Sequence, residues 1–241
     1  MVSWRSFGVS EIGPGHLRAG LPNQDAFAVK GTSAYDCVVV SDGVGSAVKS
    51  DVGAQMVCEA VLETLEQVVT SGRNLDAASF VMEVKEMFLQ KISPLPLHEC
   101  SATCLFAIRY SGFLFVGLLG DGLVAVKEID GKLKILCDGK AESFSNIVKS
   151  FAEDTRFEDW KTLVIPEVSC FATVLCTDGI GDDLIDVEGF VNGFIAEYSS
   201  KEISSAIREI QSLLQSWPTP KHSDDKTIAC MFRKETLNDD L

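Results

Sequence analysis

Short apolar runs broken by polar turns fill the first third of the chain, and long amphipathic stretches follow. Positions 7–12 and 26–30 read as strands. Cys37-Val38-Val39-Val40 is apolar throughout and β-branched, as expected of a strand buried on both faces. Ser41-Asp42-Gly43-Val44-Gly45-Ser46 ends it. Across 48–70, Val52, Met56, Ala60 and Leu65 recur at helical spacing with Val57, Val61 and Val68, which predicts one helix with a wide apolar stripe. A second helix is predicted over 76–91, capped by Asn74 or Asp76 and stopped before Pro94. Strands follow at 101–110, 113–119 and 123–129, and Asp130-Gly131 reads as a hairpin turn into a strand at 132–137. Residues 138–160 are polar and irregular, suited to a loop over a site. Strands at 162–165 and 171–176, helices at 188–198 and 201–214, and a last strand at 227–232 complete the pattern. Pro218 and Pro220 close the helical region. Hairpin-joined strands with helices in pairs predict an α+β fold of antiparallel sheet packed by helices.

The 241 residues are 46% hydrophobic, enough for the core of one domain. The net charge of −14 repels phosphate backbones and anionic bilayers, so neither nucleic acid nor membrane is expected as a partner. The apolar run 112–120 is far below the ~20 residues of a spanning helix. The N-terminus reads as no signal peptide, so a cytoplasmic location and reduced cysteines are expected. Cys37, Cys104, Cys137, Cys170, Cys176 and Cys230 lie in or beside apolar runs and read as small core residues. Cys100 and Cys104 are four apart with no second close Cys/His pair, which argues against structural zinc.

The acids are placed more tellingly than they are counted. Asp42, Asp121 and Asp178 each follow an apolar run and precede glycine. Asp25 opens a strand, and Asp224-Asp225 stands just before the last one. One Asp-Gly pair is simply a good turn. Five strand-end acids gathered at one edge would repel, at about 4 kcal/mol per pair 4 Å apart in an effective dielectric near 20. Protons or cations would offset this, and oxygen-only ligands of this kind suit Mg²⁺ or Mn²⁺. Glycine after Asp42 and Asp178 lets the backbone bend and bring a carbonyl to an ion. No histidine lies within the Asp-Gly motifs, which argues against a zinc hydrolase.

Asn23-Gln24-Asp25, Ser41-Asp42-Gly43-Val44-Gly45, Leu119-Gly120-Asp121, Thr177-Asp178-Gly179-Ile180 and Asp224-Asp225-Lys226-Thr227 occur in this order. In order and rough spacing the set resembles the metal-dependent protein serine/threonine phosphatases (PPM, or type 2C), particularly their compact bacterial members. The resemblance spans about 25–230 and leaves nothing over for a sensor or transmembrane domain, so a single domain over 1–241 is expected. It implies a four-layer α-β-β-α sandwich, two antiparallel sheets each covered by a helix pair. It implies a site at one end holding two ions, with a third bound more weakly. Asp42 would bridge two metals with the Gly43 carbonyl completing one of them. Asp178 and Asp224 would bind the other, Asp25 would act directly or through waters, and Asp121 would help hold the third. Asp42, Asp178 and Asp224 would thus carry catalysis: a metal-activated water attacks phosphoserine or phosphothreonine without a covalent intermediate. The implied partner is a phosphorylated protein, a partner kinase or its targets.

The sequence departs from the family at four places, the last of them at the arginine that the family commonly has just upstream of the first Asp to hold the phosphate. Gln24 replaces a common glutamate, which removes a carboxylate from one metal. Val44 stands where some members carry a histidine acid, so protonation of the leaving group falls to a metal-bound water or another group. Asp225 stands where asparagine is usual, so the ligand role goes to Asp224. For the substrate phosphate, Arg18 is the nearest arginine upstream of Asp25, and His16 in the same loop is the second candidate. Residues 141–146 lie where the family places a mobile flap, and His222 is close to Asp224 in sequence. Two other readings remain open: a catalytically weak binding or regulatory module, motivated by Gln24 and Val44, and a hydrolase of small phosphoesters.

Overall fold

The computed structural model describes residues 3–137, 149–217 and 223–234. The segment 141–146, Pro218, Pro220 and His222 lie outside the described residues. In chain order the elements are β1 (Trp4–Glu11), α1 (Pro14–Ala19), β2 (Asp25–Gly31), β3 (Tyr35–Asp42), α2 (Ser50–Ser71) and α3 (Ala77–Ile92). Then come β4 (Cys104–Tyr110), β5 (Phe113–Leu119), β6 (Leu123–Glu128), β7 (Leu133–Cys137), β8 (Lys161–Pro166) and β9 (Cys170–Cys176). The chain continues through a single turn α4 (Asp178–Gly181), α5 (Val187–Tyr198), α6 (Ile203–Gln215) and β10 (Lys226–Arg233).

Each predicted strand and each long helix is present, with ends shifted by a few residues. Asp76 rather than Asn74 caps α3, its carboxylate accepting from Ser79 N–H at 2.9 Å. Helix α1 and the single turn α4 are the helices the pattern did not predict, and α1 is the longer. Its six residues are too few for a periodic stripe and none of them is buried. Pro14 starts it and Gly20, at φ 68°, ends it in the left-handed conformation.

The strands form two five-stranded antiparallel sheets, in the orders β1-β10-β9-β6-β7 and β2-β3-β4-β5-β8. Side-chain alternation divides the apolar residues into three layers. On β3, Val38 and Val40 point between the sheets and meet the layer of Leu105, Leu175 and Met231. Cys37 and Val39 point outward under α2 and α3, with Val57, Val61 and Phe88. On the other side Val174, Cys176 and Cys230 lie under α5 and α6, with Val191 and Ile210. The result is the four-layer α-β-β-α sandwich. Seven of the eight cysteines are buried free thiols; Cys137 is exposed on edge strand β7, contrary to its reading as a core residue. Among the described residues no helix is long and apolar enough to cross a membrane.

Because β3 is covered on both faces, Val38→Thr and Val39→Thr should each destabilise the protein. Each change buries a hydroxyl in an apolar layer, at a cost of about 1–3 kcal/mol. Urea unfolding tests this; a loss at only one position would mean one face of β3 is wet.

Candidate metal centre

Strand register brings the acids together. Asp25 at the start of β2 pairs directly with Asp42 at the end of β3. In the other sheet Cys176 pairs with both Leu123 and Ile228. Asp121, Asp178 and Asp224 lie a short step beyond these three partners, at the same end of the sandwich. Carboxylate oxygens of Asp42, Asp121 and Asp178 lie within 4.8 Å of one another. One ligand atom from each of His16, Asp224 and Asp225 forms a second group with the same spread, 4.8 Å. A cleft of about 360 Å³ runs between the groups, lined by His16, Gln24, Asp42, Gly43, Val44, Thr103, Asp121, Asp178 and Asp224 among others. Asp25 and Asp225 are buried and lie outside this lining.

Hydrogen bonds and close backbone contacts hold the edge in shape. Thr177 Oγ1 donates to Asp25 Oδ2 at 2.8 Å, and the Asp25 N–H donates to Asn23 Oδ1 at 2.9 Å. The Asp42 N–H donates to Thr103 Oγ1 at 2.9 Å, while Thr103 N–H returns a bond to the Asp42 carbonyl at 2.8 Å. The glycines after the acids serve close approach rather than a bend. A Cβ on Gly43 would lie 2.3 Å from the Ser50 carbonyl oxygen at the start of α2, and one on Gly179 would lie 1.9 Å from that of Asp225. Neither has a positive φ.

Burial and crowding disfavour ionisation in the metal-free protein. Burial raises Asp25 to about 8; hydrogen bonds from Thr227 and Thr177 oppose the rise, and the charges of Asp225 and Asp178 add to it. Asp42 is held well above its ordinary value, first by burial and then by the charges of Asp25, Asp178, Asp224 and Asp121. Asp178 is raised by burial and by Asp224. A cluster of oxygen donors that are costly to ionise alone fits hard divalent cations, which would stabilise the ionised form.

Residues 12–215 match the sequence profile of the protein phosphatase 2C family. The chain belongs to that family. No curated protein sequence matches the chain significantly. The fold is similar to that of the photosystem II phosphatase PBCP, at 15% identity and a TM-score of 0.68, covering 96% of this chain and 99% of that one. The catalytic domain of the serine/threonine phosphatase PstP, solved with two manganese ions, matches at 14% identity and a TM-score of 0.63, covering 98% and 100%. RsbX, solved with magnesium, matches at 13% identity and a TM-score of 0.60, covering 97% and 100%.

In this phosphatase, Asp42, Gly43, Asp121, Asp178, Asp224 and His16 all reach the cleft, and Asp25 lies beneath it. Arg18 does not line it. The reason is helical: Arg18 follows His16 by two residues on α1, and such side chains point about 200° apart. Asp225, Thr103 and Thr177 also shape the site, through contacts that the sequence pattern does not show. Asp225 is 2% exposed and accepts from Gly13 N–H and Gln24 N–H, both at 2.6 Å, and from His16 Nδ1–H at 2.8 Å. It thereby fastens α1 and the start of β2 to the cleft. Sequence offers a signal only for Thr177, a hydroxyl residue directly before Asp178; Thr103 is next to no acid.

The raised carboxylates give the metal-free phosphatase a defined pH dependence. The folded chain keeps Asp25 protonated up to about pH 8, whereas the unfolded chain ionises it near 3.8. Folding therefore binds extra protons across this window, and stability falls as pH rises through it. Thermal melts in EDTA should show a lower Tm at pH 8 than at about pH 5, and Mn²⁺ or Mg²⁺ should raise Tm more at pH 8. A metal effect of equal size at both pH values would overturn this electrostatic account.

Proposed function

We propose that the chain hydrolyses phosphoserine and phosphothreonine in proteins, with Mg²⁺ or Mn²⁺ held at the acidic edge. The observation that carries this is the convergence of Asp42, Asp121 and Asp178 within 4.8 Å, with Asp25 paired to Asp42 and Asp224 on the same cleft. Asp42 and the Gly43 carbonyl, with Asp25, Asp178 and Asp224, would hold two ions, and Asp121 with Asp178 would serve a third. The manganese in PstP and the magnesium in RsbX support this choice of cation. Such cations neutralise phosphoryl oxygens and lower the pKa of water.

The chain's own residues supply position and shape. Asp225 engages His16 Nδ1, so Nε2 is the ring nitrogen left for a phosphoryl oxygen. His16 therefore takes precedence over Arg18 as the group that holds substrate phosphate. Gln24 presents a neutral amide to the cleft and Val44 an apolar wall, so neither supplies charge or a proton. The biological role proposed is reversal of a partner kinase's phosphorylation, in the cytoplasm, by a single domain.

Phosphate release from a phosphothreonine peptide, with EDTA, Mg²⁺ and Mn²⁺ in parallel, tests the reading. Release should require metal. Asp42→Asn should leave less than about a tenth of it, since charge stabilisation by the ions is worth several kcal/mol. No release despite calorimetric metal binding would favour the regulatory module motivated by Gln24 and Val44. Release from small phosphoesters but not from peptides would favour the small-substrate hydrolase.

His16→Ala should raise KM for the peptide several-fold more than Arg18→Ala, with metal affinity unchanged in both. The reverse order would return the phosphate to Arg18.

A further inference from the structure

A second hollow, of about 270 Å³, lies beside the cleft. Val44, Ala47, Leu97, Phe151 and Ala152 supply most of its lining, and Ser46, His98, Ser101 and Glu153 complete it as a polar margin. Val44 lines both the hollow and the acidic cleft, so the two adjoin at one residue. Three chain segments build the walls, and each is tied to another. Val44 N–H donates to the Ser101 carbonyl at 2.9 Å, and Lys49 N–H to the Glu99 carbonyl at 2.7 Å. Ser101 Oγ donates to the Phe151 carbonyl at 2.8 Å, and Phe151 N–H to the Ala102 carbonyl at 3.0 Å. The buried Lys85 ammonium donates to the carbonyls of Glu153 at 2.6 Å and Thr155 at 2.9 Å. A lysine spent inside the fold on two main-chain carbonyls holds that wall in place. Phe151 is itself backed by Phe88 and Trp160, with ring centroids 5.0 and 5.8 Å away. The hollow is therefore preformed, and a preformed apolar site loses little ordering entropy when filled.

We propose that this hollow takes one large apolar side chain that flanks the phosphorylated residue, so that the substrates are phosphopeptides with an aliphatic or aromatic residue near the phosphoserine or phosphothreonine. The inference rests on the phosphatase reading of the cleft. Its size falls just below that of pockets that enclose a whole small molecule, which suits a single side chain. Its position directly beside the cleft, across Val44, is what points to an occupant belonging to the same substrate. Val44 serves here as a shared wall: a polar acid at that position would interrupt the apolar surface between phosphate and flanking residue.

The test uses the full chain with Mn²⁺, p-nitrophenyl phosphate, and phosphothreonine peptides of glycine and serine carrying one leucine walked through the flanking positions. Leucine at one position should raise kcat/KM about tenfold over the all-polar peptide, mainly through KM, in line with burial of one such side chain. Ala152→Phe fills the hollow and Leu97→Asp makes it polar. In each variant the leucine peptide should fall to the rate of the all-polar peptide measured on the same enzyme. The paired peptides make this ratio insensitive to the fraction folded. Equal rates for all peptides on the wild-type chain would overturn the proposal. So would a preference that survives in both variants, or a change of oligomeric state in Leu97→Asp, which would assign the hollow to a second copy. Absence of hydrolysis of p-nitrophenyl phosphate and of every peptide would overturn the phosphatase reading itself, and this inference with it.

Discussion

Carboxylates that would repel one another in isolation are gathered at one end of this sandwich, and the surrounding structure has to contain that repulsion. Antiparallel pairing forces the meeting: Asp25 is locked opposite Asp42, and the pairing of Cys176 with Leu123 and Ile228 brings three further strand ends to the same edge. Burial then raises the cost of charge at Asp25, Asp42 and Asp178. Three devices hold the acids in place. Threonine hydroxyls and main-chain amides bond to them, glycines let neighbouring backbones press close, and three apolar layers keep the strands from parting. A divalent cation relieves the remaining electrostatic cost, so metal binding and the stability of this edge are coupled.

Asp225 shows how a substitution within a motif acquires a different use. Beside the proposed ligand Asp224, it turns inward and accepts three hydrogen bonds from the α1 region and the start of β2. That anchoring places His16 on the cleft and turns Arg18 away. Gln24 lines the cleft as a neutral side chain, while its N–H is one of the donors to Asp225. Val44 joins the acidic cleft to the apolar hollow. Two of the departures from the family pattern, Gln24 and Val44, line the cleft, and another, Asp225, is buried behind it, so the group of acids is kept while its surroundings change.

Much of this was legible in the residues alone. Strands and long helices follow from local periodicity, since alternation and helical stripes record which face is buried. The double-sided burial of β3 was written in Cys37-Val38-Val39-Val40. The strand-end positions of the acids marked the chemical edge, because an apolar strand that stops at Asp-Gly leaves its carboxylate at the rim. Tertiary structure decided what depends on contacts distant in sequence. The glycines after Asp42 and Asp178 read locally as bends, whereas the approach of Ser50 and Asp225 explains them. Helix α1 carried no periodic signal, and its orientation puts His16 and not Arg18 on the cleft. Cys137 read as core but lies on an exposed edge strand. The hollow beside Val44 is built from three segments that no local pattern connects. Which residues seek the interior and which strand ends carry charge can be read along the chain, because those preferences are local. Which charges meet and which side chains face the cleft emerge with the folded arrangement, because both depend on register and on packing between distant segments.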